Sequence, residues 1–457
     1  MGTPTPRIAA SANIRRWVSP FHQFGNVVTV TDFYERPKMQ RTIGTSIKWI
    51  LVICVAASLY GHPPAQIAGF KDFEIVESAP VGTTLDNPDV RNTHEVWLEM
   101  IGRAKRSLDI EQFYISAEPN EPLEDILAAV VDAGKRGVAV RILADAGMAK
   151  TYPQPVEMLG KQKNIAVRLI DFRKISDGTQ HAKYFVVDGE EVFLGSQNFD
   201  WRALKHIYEL GVRIADKRAA KALGDVFAID WALAGPSSAG VPGGSGGDKA
   251  KIAQERYAVP FVMKEGEETL KYYPTFSPKG FIPDESLWDE RQIVGLIDKA
   301  KTEVYFHVLT YSPVANRTGY YEVLDNALRR AATRGVKVHV MCADWSKRKP
   351  TIDYLKSLAV VPNIEVRLST IPEWSGGFIP YARVDHSKFM VVDDLFSWIG
   401  TSNWEKSYFY NARNVGVIVE NKTINAVLKK IHLKNWNSSY SYPVKPEVEY
   451  VAPKIGG

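Results

Sequence analysis

Cysteine is nearly absent from this sequence of 457 residues. Its two cysteines are Cys54, within an apolar segment near the N-terminus, and Cys342, far along the chain. A fold stapled by several disulfide bonds is therefore excluded, and so is a zinc site built from cysteine pairs. For an exported chain, this scarcity favours a bacterial periplasm or medium over an oxidised animal compartment.

Long apolar runs are also missing. The run Trp49–Leu59 carries no charge, but it is about half as long as the ~20 residues that a membrane-spanning helix needs. Arg41 and Lys48 precede it and small residues follow, which is the pattern of a secretory signal peptide. An uncleaved membrane anchor and a buried strand or helix end are the alternatives. We therefore expect an exported or membrane-anchored protein, with residues 1–38 as an upstream over-extension of the reading frame.

The body of the chain has no excess charge of either sign. The formal net charge is +5, and this excess lies before Gly61, since basic and acidic residues are equal in number after it. A broad basic surface for nucleic acid is thus not supported, although a local basic groove stays open. Hydrophobic residues at 45% and charged residues at 24% are typical of a folded chain.

What the sequence does contain is an internal repeat, divided by a glycine-rich linker that starts at Gly235. Each half opens with an amphipathic helix candidate, Asn92–Ala104 or Asp289–Ala300, and strands and helices then alternate. This order predicts an α/β fold of two duplicated domains, each a mixed sheet flanked by helices, forming a pseudo-dimer. The predicted segments are an N-terminal extension (1–65), a first domain (70–234), a linker (235–251), a second domain (252–446) and a C-terminal tail (447–457).

The repeat is strictest in two short motifs. The first half contains His181-x-Lys183-x₄-Asp188, followed by Gly195-Ser196-x-Asn198, and the second half repeats both patterns in the same register. The second set is His386, Lys388, Asp393, Gly400, Thr401 and Asn403. Matched histidine, lysine, aspartate and asparagine at fixed offsets are not expected from composition alone.

These residue types together suit phosphoryl transfer. Alternation along a strand places the histidine and the lysine of each motif on one face. Two such faces brought together offer two imidazoles, two ammonium groups and two amides around one phosphoryl group. One neutral imidazole can attack phosphorus, and the other, protonated, can donate to the leaving oxygen. This chemistry needs no metal and no cofactor, and we expect neither.

The paired motifs resemble those of the phospholipase D superfamily. The stretches Leu194–Leu204, Tyr208–Val212, Ile379–Met390, Ile399–Trp404 and Asn435–Ser441 are similar to the animal phospholipase-D-like 5′-exonucleases of endosomes and lysosomes. The resemblance covers roughly residues 73–445. The chain departs from those exonucleases in its lack of cysteine pairs and in its glycine-rich linker, so the resemblance implies the reaction and not the compartment.

The resemblance implies a role for each motif residue. His181 is the expected nucleophile and His386 the expected general acid. Lys183, Lys388, Asn198 and Asn403 are expected to hold the phosphoryl oxygens. Glu209 lies where related enzymes place a carboxylate against Nδ1 of the nucleophile, and Asn414 occupies the matching place after the second motif. We expect Glu209 to orient His181, and Asp188 and Asp393 to stabilise their local turns.

The substrate stays open between two classes of phosphodiester. Single-stranded nucleic acid is implied by the exonucleases, and a phospholipid is implied by the superfamily. Hydrolysis and transfer to an alcohol are both compatible with the motifs, and membrane association through residues 49–59 and the oligomeric state stay open. A catalytically silent binding protein and a cardiolipin-synthase-like transferase are further candidates. Tyr114, Tyr311, Trp201 and Trp404 are candidates for base stacking, with core packing favoured for each.

Overall fold

The computed structural model describes residues 70–235, 254–315 and 319–457. The N-terminal extension with the run at 49–59 and nearly all of the predicted linker lie outside these residues. Both therefore remain predictions. Within the described parts, no helix combines the length and the apolar character needed to cross a membrane.

The first half is a sheet with helices packed on it. Its strands are β1 (Phe73–Ser78), β2 (Arg91–Asn92), β3 (Ser107–Gln112), β4 (Ile115–Ser116), β5 (Ala139–Asp145), β6 (Ile165–Ile170), β7 (Tyr184–Val187), β8 (Glu191–Gly195), β9 (Phe199–Asp200) and β10 (Glu209–Ile214). Its helices are α1 (Thr93–Arg103), α2 (Leu123–Lys135), α3 (Met148–Thr151), α4 (Pro153–Gly160), α5 (Phe172–Ser176) and α6 (Lys217–Leu233). All of these elements lie within the predicted first domain.

The second half repeats this plan. Its strands are β11 (Phe261–Glu265), β12 (Glu268–Ser277), β13 (Glu303–Val308), β14 (Tyr311–Ser312), β15 (Val314–Ala315), β16 (Gly319–Tyr320), β17 (Lys337–Ala343), β18 (Ile364–Ser369), β19 (Phe389–Val392), β20 (Phe396–Gly400), β21 (Trp404–Glu405), β22 (Asn414–Glu420) and β23 (Ser441–Pro443). Its helices are α7 (Asp289–Lys299), α8 (Val323–Thr333), α9 (Thr351–Ala359), α10 (Lys406–Tyr410) and α11 (Lys422–Trp436), with short 3₁₀ turns at Glu285–Leu287 and Asp344–Lys347.

Both main sheets are mixed, as predicted, and their central strands correspond one to one. The first has the order β2-β1-β10-β8-β7-β3-β5-β6 and the second the order β11-β12-β22-β20-β19-β13-β17-β18-β23. In each sheet three strands run parallel, namely β3, β5 and β6 or β13, β17 and β18. The strand after each histidine motif, β7 or β19, joins this parallel part antiparallel to β3 or β13.

The opening helix shows how the sequence produces these elements. Asn92 caps α1 by accepting a hydrogen bond from the main-chain N–H of His94. Val96, Trp97 and Met100 follow at helical spacing and are fully buried. The helix therefore covers one face of the first sheet with its apolar side.

The two halves share one hydrophobic core. This core contains side chains from both sheets, such as Leu194 and Val212 of the first and Phe276 and Val417 of the second. Side chains of α6 and α11 belong to the same cluster. One continuous hydrophobic core thus joins the halves, and the interface at which the two motifs meet is part of it.

Candidate active site

The first motif enters the site immediately before a buried strand. His181 and Lys183 directly precede β7, and Ala182 between them belongs to the shared core. The sequence predicted that both side chains would lie on one face of a strand, but the strand begins only at Tyr184, after the lysine. Lys183 is fully buried, and its Nζ donates to the main-chain oxygen of His181. Lys388 donates to the oxygen of His386 in the same way.

The main chains of the two halves cross at the motifs. The N–H of His181 donates to the oxygen of Arg413 at 3.0 Å, and the N–H of His386 donates to the oxygen of Tyr208 at 2.8 Å. Both contacts lie in isolated parallel bridges between the halves. The side chain that follows each acceptor, at position 209 or 414, is thereby carried to the histidine of the opposite half.

A cavity of about 750 Å³ is lined by four of the predicted catalytic residues, whereas Lys183, Lys388 and Glu209 are fully buried and are not part of its lining. Its lining includes both histidines, His181 and His386, and both motif asparagines, Asn198 and Asn403. The histidines are 6% and 9% exposed. The Oδ1 atoms of the two asparagines have no hydrogen-bond partner among the described residues, and the Nδ2 atoms of these amides are the donors that a phosphoryl oxygen could accept from.

The prediction that Glu209 contacts His181 is wrong. Nδ1 of His386 lies 2.9 Å from Oε2 of Glu209, whereas Nδ1 of His181 lies 3.0 Å from Oδ1 of Asn414. The reason is the crossing described above, which gives each histidine a partner from the other half. Spacing along the sequence could not reveal it, because position 209 is nearer to His181 in the chain.

The residue after the second motif glycine holds one of these partners, Asn414. The hydroxyl of Thr401 donates to Oδ1 of Asn414 at 2.9 Å, and Nδ2 of Asn414 donates to the main-chain oxygen of Tyr408 at 2.9 Å. These two bonds orient the amide so that its oxygen accepts from Nδ1–H of His181. Nε2 of His181 is then left with its lone pair. The hydroxyl of Ser196, at the matching place, bonds the main chain of Leu210.

The two lysines lie close enough to repel each other. Burial lowers the pKa of Lys388 to about 7, and Glu209 and Asp385 oppose this shift. Burial and the charge of Lys388 hold the pKa of Lys183 well below its usual range. A phosphoryl group between them would stabilise both ammonium forms.

The described residues include no cluster of His, Cys, Asp and Glu suited to holding a metal ion.

The two histidines differ in their electrostatic surroundings. Burial, together with Lys183 and Lys388, holds the pKa of His181 well below its usual range, so this imidazole is neutral at neutral pH. Burial also lowers the pKa of His386 and raises the pKa of Glu209. A protonated Glu209 beside a neutral His386 carries the same number of protons as an ionised Glu209 beside a protonated His386. The Glu209–His386 pair therefore keeps one proton that can move to His386.

The motif aspartates lie at the other end of the strands, in turns. Asp188 accepts hydrogen bonds from the main-chain N–H groups of Lys105, Arg106 and Ser107. Asp393 does the same for the loop before β13. Both aspartates have positive φ, at 56° and 53°. Neither lines the cavity, and both stabilise their local turns, Asp393 with a further hydrogen bond from the hydroxyl of Thr302.

Except for Tyr114, sequence reasoning missed the aromatic residues that line the cavity. The ring of Phe113 lies 5.1 Å from that of His181, and the ring of Tyr408 lies 4.9 Å away on edge. Further residues of the lining are Tyr114, Tyr152, Arg173, Arg202, Trp345 and Tyr381. Phe113 immediately follows β3, and a position at the carboxyl end of a parallel strand is a signal that could have found it.

The four aromatic residues proposed from sequence have different environments. Tyr114 lines the cavity, with its hydroxyl 2.7 Å from Oδ2 of Asp200. Tyr311 and Trp404 belong to the core of the second half, and Trp201 packs against the core of the first. Only Tyr114 of these four is therefore placed to meet a substrate.

One glycine lets the halves approach at the cavity wall. A Cβ on Gly178 would lie 2.0 Å from the main-chain oxygen of Asn411. Any side chain here would push apart the loops that carry Thr179 and Ala412, both of which line the cavity. The shape of this wall therefore depends on glycine at position 178.

Comparison with known proteins identifies the family. A family model described as "Cardiolipin synthase, PLD-like domain" matches residues 97–231 and again residues 293–436. The chain belongs to the phospholipase D family. The double match confirms the predicted duplication and the resemblance drawn from the motifs.

The family relatives include proteins named for different substrates. The chain is 31% identical over 395 residues to phospholipase D Z of Dictyostelium discoideum, covering 81% of this chain and 90% of that protein. It is 30% identical over 413 residues to the 5′-3′ exonuclease PLD3 of Homo sapiens, covering 82% and 81%. Among solved structures, phosphatidylserine synthase of Haemophilus influenzae has the same fold, with a TM-score of 0.52, 12% identity, and 77% and 85% of the two chains covered.

Proposed function

We propose that this phospholipase D family member is a phosphodiesterase that hydrolyses single-stranded nucleic acid through a covalent phosphohistidine. One observation carries the proposal. Two histidines and two asparagines from both halves line a single cavity, and beside each histidine lies a buried lysine that donates to its main-chain oxygen. This set supplies a nucleophile, an acid and the positive charge that a phosphoryl transition state requires.

We assign the attacking nitrogen to Nε2 of His181. Asn414 holds the Nδ1 proton, and burial beside two lysines keeps the ring neutral. The acid is His386, because only a histidine backed by a carboxylate can hold a proton beside two ammonium groups. The assignment of roles is that expected from sequence, but Glu209 supports it through the acid and not through the nucleophile.

The reaction then has two balanced steps. Nε2 of His181 bonds to phosphorus while the bond to the leaving oxygen breaks, and Nε2–H of His386 gives its proton to that oxygen. In the second step, His386 takes a proton from water as the water oxygen attacks the phosphohistidine, which releases a phosphomonoester and restores both histidines. Lys183, Lys388 and the two motif asparagines are assigned to the non-bridging oxygens.

Nucleic acid is the better fit for the substrate because of the cavity wall. Its lining contains four aromatic side chains of the kind on which bases stack, those of Phe113, Tyr152, Trp345 and Tyr381. Several relatives are named 5′-3′ exonucleases. A phospholipid is the second candidate, because the Dictyostelium relative is named phospholipase D Z.

The test is a paired assay with the purified protein. Single-stranded DNA oligonucleotides with a 5′-hydroxyl or a 5′-phosphate are compared with phosphatidylcholine vesicles. We expect nucleotide release from an oligonucleotide, retained in EDTA because lysines supply the positive charge. His181→Ala should abolish it, and His94→Gln, which changes a histidine on α1 outside the cavity, should not. Choline release without nucleotide release would establish the phospholipid alternative, and no release from either would support a silent binding protein.

A further inference from the structure

Tyr381 differs from the other tyrosines of the cavity wall. Tyr114 donates from its hydroxyl to Asp200, and the hydroxyl of Tyr152 accepts from Arg202 at 3.3 Å. Their rings also contact each other, with centroids 5.4 Å apart. Tyr381 lines the same cavity but is 51% exposed. Among the described residues, its ring packs on no other aromatic ring and its hydroxyl has no hydrogen-bond partner, so about half of this side chain is accessible to a ligand.

The main chain holds Tyr381 in a strained conformation. Its φ is 60°, and Arg383 two residues later has φ of 55°, both in the left-handed region that non-glycine residues disfavour. Such strain persists only where surrounding contacts impose it, and it gathers at functional sites. Here Arg202 donates to the oxygen of Pro380 at 3.1 Å, and the N–H of Arg383 donates to the oxygen of His206 at 3.0 Å. Both contacts tie the Tyr381 loop to the first half.

The end of the chain supplies the third support. The N–H of Tyr381 donates to the main-chain oxygen of Ile455 at 2.7 Å, and the side chain of Ile455 is buried. Gly456 passes beside the ring, where an added Cβ would lie 2.8 Å from Oη and 3.2 Å from Cζ of Tyr381. The tail therefore sets both the main-chain position and the ring position of Tyr381.

We infer that Tyr381 is a base-stacking platform in the outer cavity and that the last residues of the chain position it. This inference rests on the proposed function and names the part of the substrate that binds there, a base beyond the reacting nucleotide. An open aromatic face accepts any base, because every base has a π face. It follows that binding at this place adds affinity without sequence preference.

The direct test compares KM for a short and a long substrate. For a ten-nucleotide single strand, Tyr381→Ala should raise KM about tenfold, the loss expected when one base no longer stacks. The rise should be smaller for a p-nitrophenyl ester of thymidine 5′-phosphate, which has a single base. Tyr381→Phe and Tyr381→Trp should restore KM because they keep the ring. Tyr320→Ala is the matched control, since Tyr320 is 52% exposed and lies outside the cavity.

A second readout reports stacking without turnover. With His181→Ala as the background, oligonucleotides carrying 2-aminopurine at successive positions are bound, and the fluorescence of that base is measured. One position should be quenched, and adding Tyr381→Ala should remove the quenching. Gly456→Ala should raise KM for the long strand by a smaller factor than Tyr381→Ala. A KM unchanged by Gly456→Ala would overturn the positioning role of the tail.

The outcomes separate this inference from the proposed function. An inactive wild type towards every oligonucleotide would overturn the proposed function itself. A wild type that cleaves oligonucleotides, with Tyr381→Ala matching the Tyr320→Ala control in KM and in fluorescence, would overturn the stacking platform alone. Equal KM increases for the ten-nucleotide strand and the single-base ester would also overturn it, because the base bound would then be that of the reacting nucleotide.

Discussion

The two histidines of the cavity have the same motif and different partners. Glu209 can balance the charge of a protonated His386, whereas Asn414 can only accept a hydrogen bond from His181. Beside two lysines this difference is large, because an imidazolium without an anion is disfavoured in a buried site. The proposed division of labour thus depends on two side chains that do not belong to the motifs.

Removing the carboxylate should weaken the acid. We expect Glu209→Gln to slow cleavage of nucleotide esters by about 10²–10⁴-fold, the usual contribution of a positioned acid. p-Nitrophenyl esters should lose much less, since that leaving group departs without a proton. The kcat values for a series of leaving groups measure the difference, and equal losses across the series would contradict this role. Mapping the acid-labile phosphohistidine to His386 in the wild type would reverse the two roles.

Adding a carboxylate should change the nucleophile. Because burial and two lysines hold the pKa of His181 well below its usual range, its neutral form persists into mildly acidic solution. Asn414→Asp would raise that pKa, so the acid limb of the kcat/KM profile should move to higher pH. Asn414→Gln, which adds no charge, is the control. A profile that does not move would show that His181 is not the titrating group.

The lysines provide a prediction about anions. Tungstate imitates a phosphoryl group, and its binding requires protonated Lys388, whose pKa burial lowers to about 7. Since the charged form dominates below that pKa, inhibition should weaken as pH rises above about 7, by roughly tenfold per unit at most. The inhibition constant measured between pH 6 and 9 checks this. An inhibition constant that does not change across that range would contradict the assignment of Lys388.

At the scale of elements, the opening helices and the alternation of strands and helices along the chain were predictable from periodicity, whereas the order of the strands in each sheet was not. The candidate Asn92–Ala104 corresponds to α1, which ends one residue earlier at Arg103. The extended run from Ser107 to Ile115 is interrupted after β3, where Phe113 and Tyr114 turn into the cavity. Apolar aromatic residues continue a strand pattern in sequence, so only the structure separates wall residues from core residues.

The turn aspartates give a stability prediction. Hydrogen bonds from Ser107, Arg106 and Lys105 lower the pKa of Asp188, although burial opposes them. The carboxylate therefore stabilises the fold above its unfolded pKa, and this contribution is lost as pH falls through the folded pKa. Asp188→Asn should cost about 1 kcal/mol at pH 7, and urea unfolding should show the cost shrinking in acid. Asp132→Asn, on an exposed helix face, is the control.

At the scale of the whole molecule, the repeat predicted two domains but not how they are locked together. Arg413 of the second half donates to Asp230 of the first at 2.6 Å and 2.7 Å, and both side chains are fully buried. Arg413 also donates to the main-chain oxygens of Ser277 and Phe281. The counterpart of Arg413 in the first half is the uncharged Tyr208, so aligning the two halves gives no indication of this ion pair.

Breaking this pair should weaken the joint between the halves. Asp230→Asn leaves a buried guanidinium without its anion, which costs about 3–5 kcal/mol. Denaturant unfolding should show a lower midpoint, and the double variant with Arg413→Met should lose less than the sum of the single variants. Additive losses would contradict the coupling. Arg330→Gln, which breaks an exposed pair with Asp298, should change stability little.

The crossing of the main chains has a consequence for the orientation in which a substrate binds. If two identical half-length chains formed this site, a twofold axis would back both histidines with the same residue. A single chain is not bound by that symmetry, and here His386 faces Glu209 whereas His181 faces Asn414. With attack from His181 and proton donation from His386, the leaving oxygen must lie on the His386 side. Under the proposed function, a strand with distinct ends would then enter in one orientation only, so the fused chain would process its substrate in one direction.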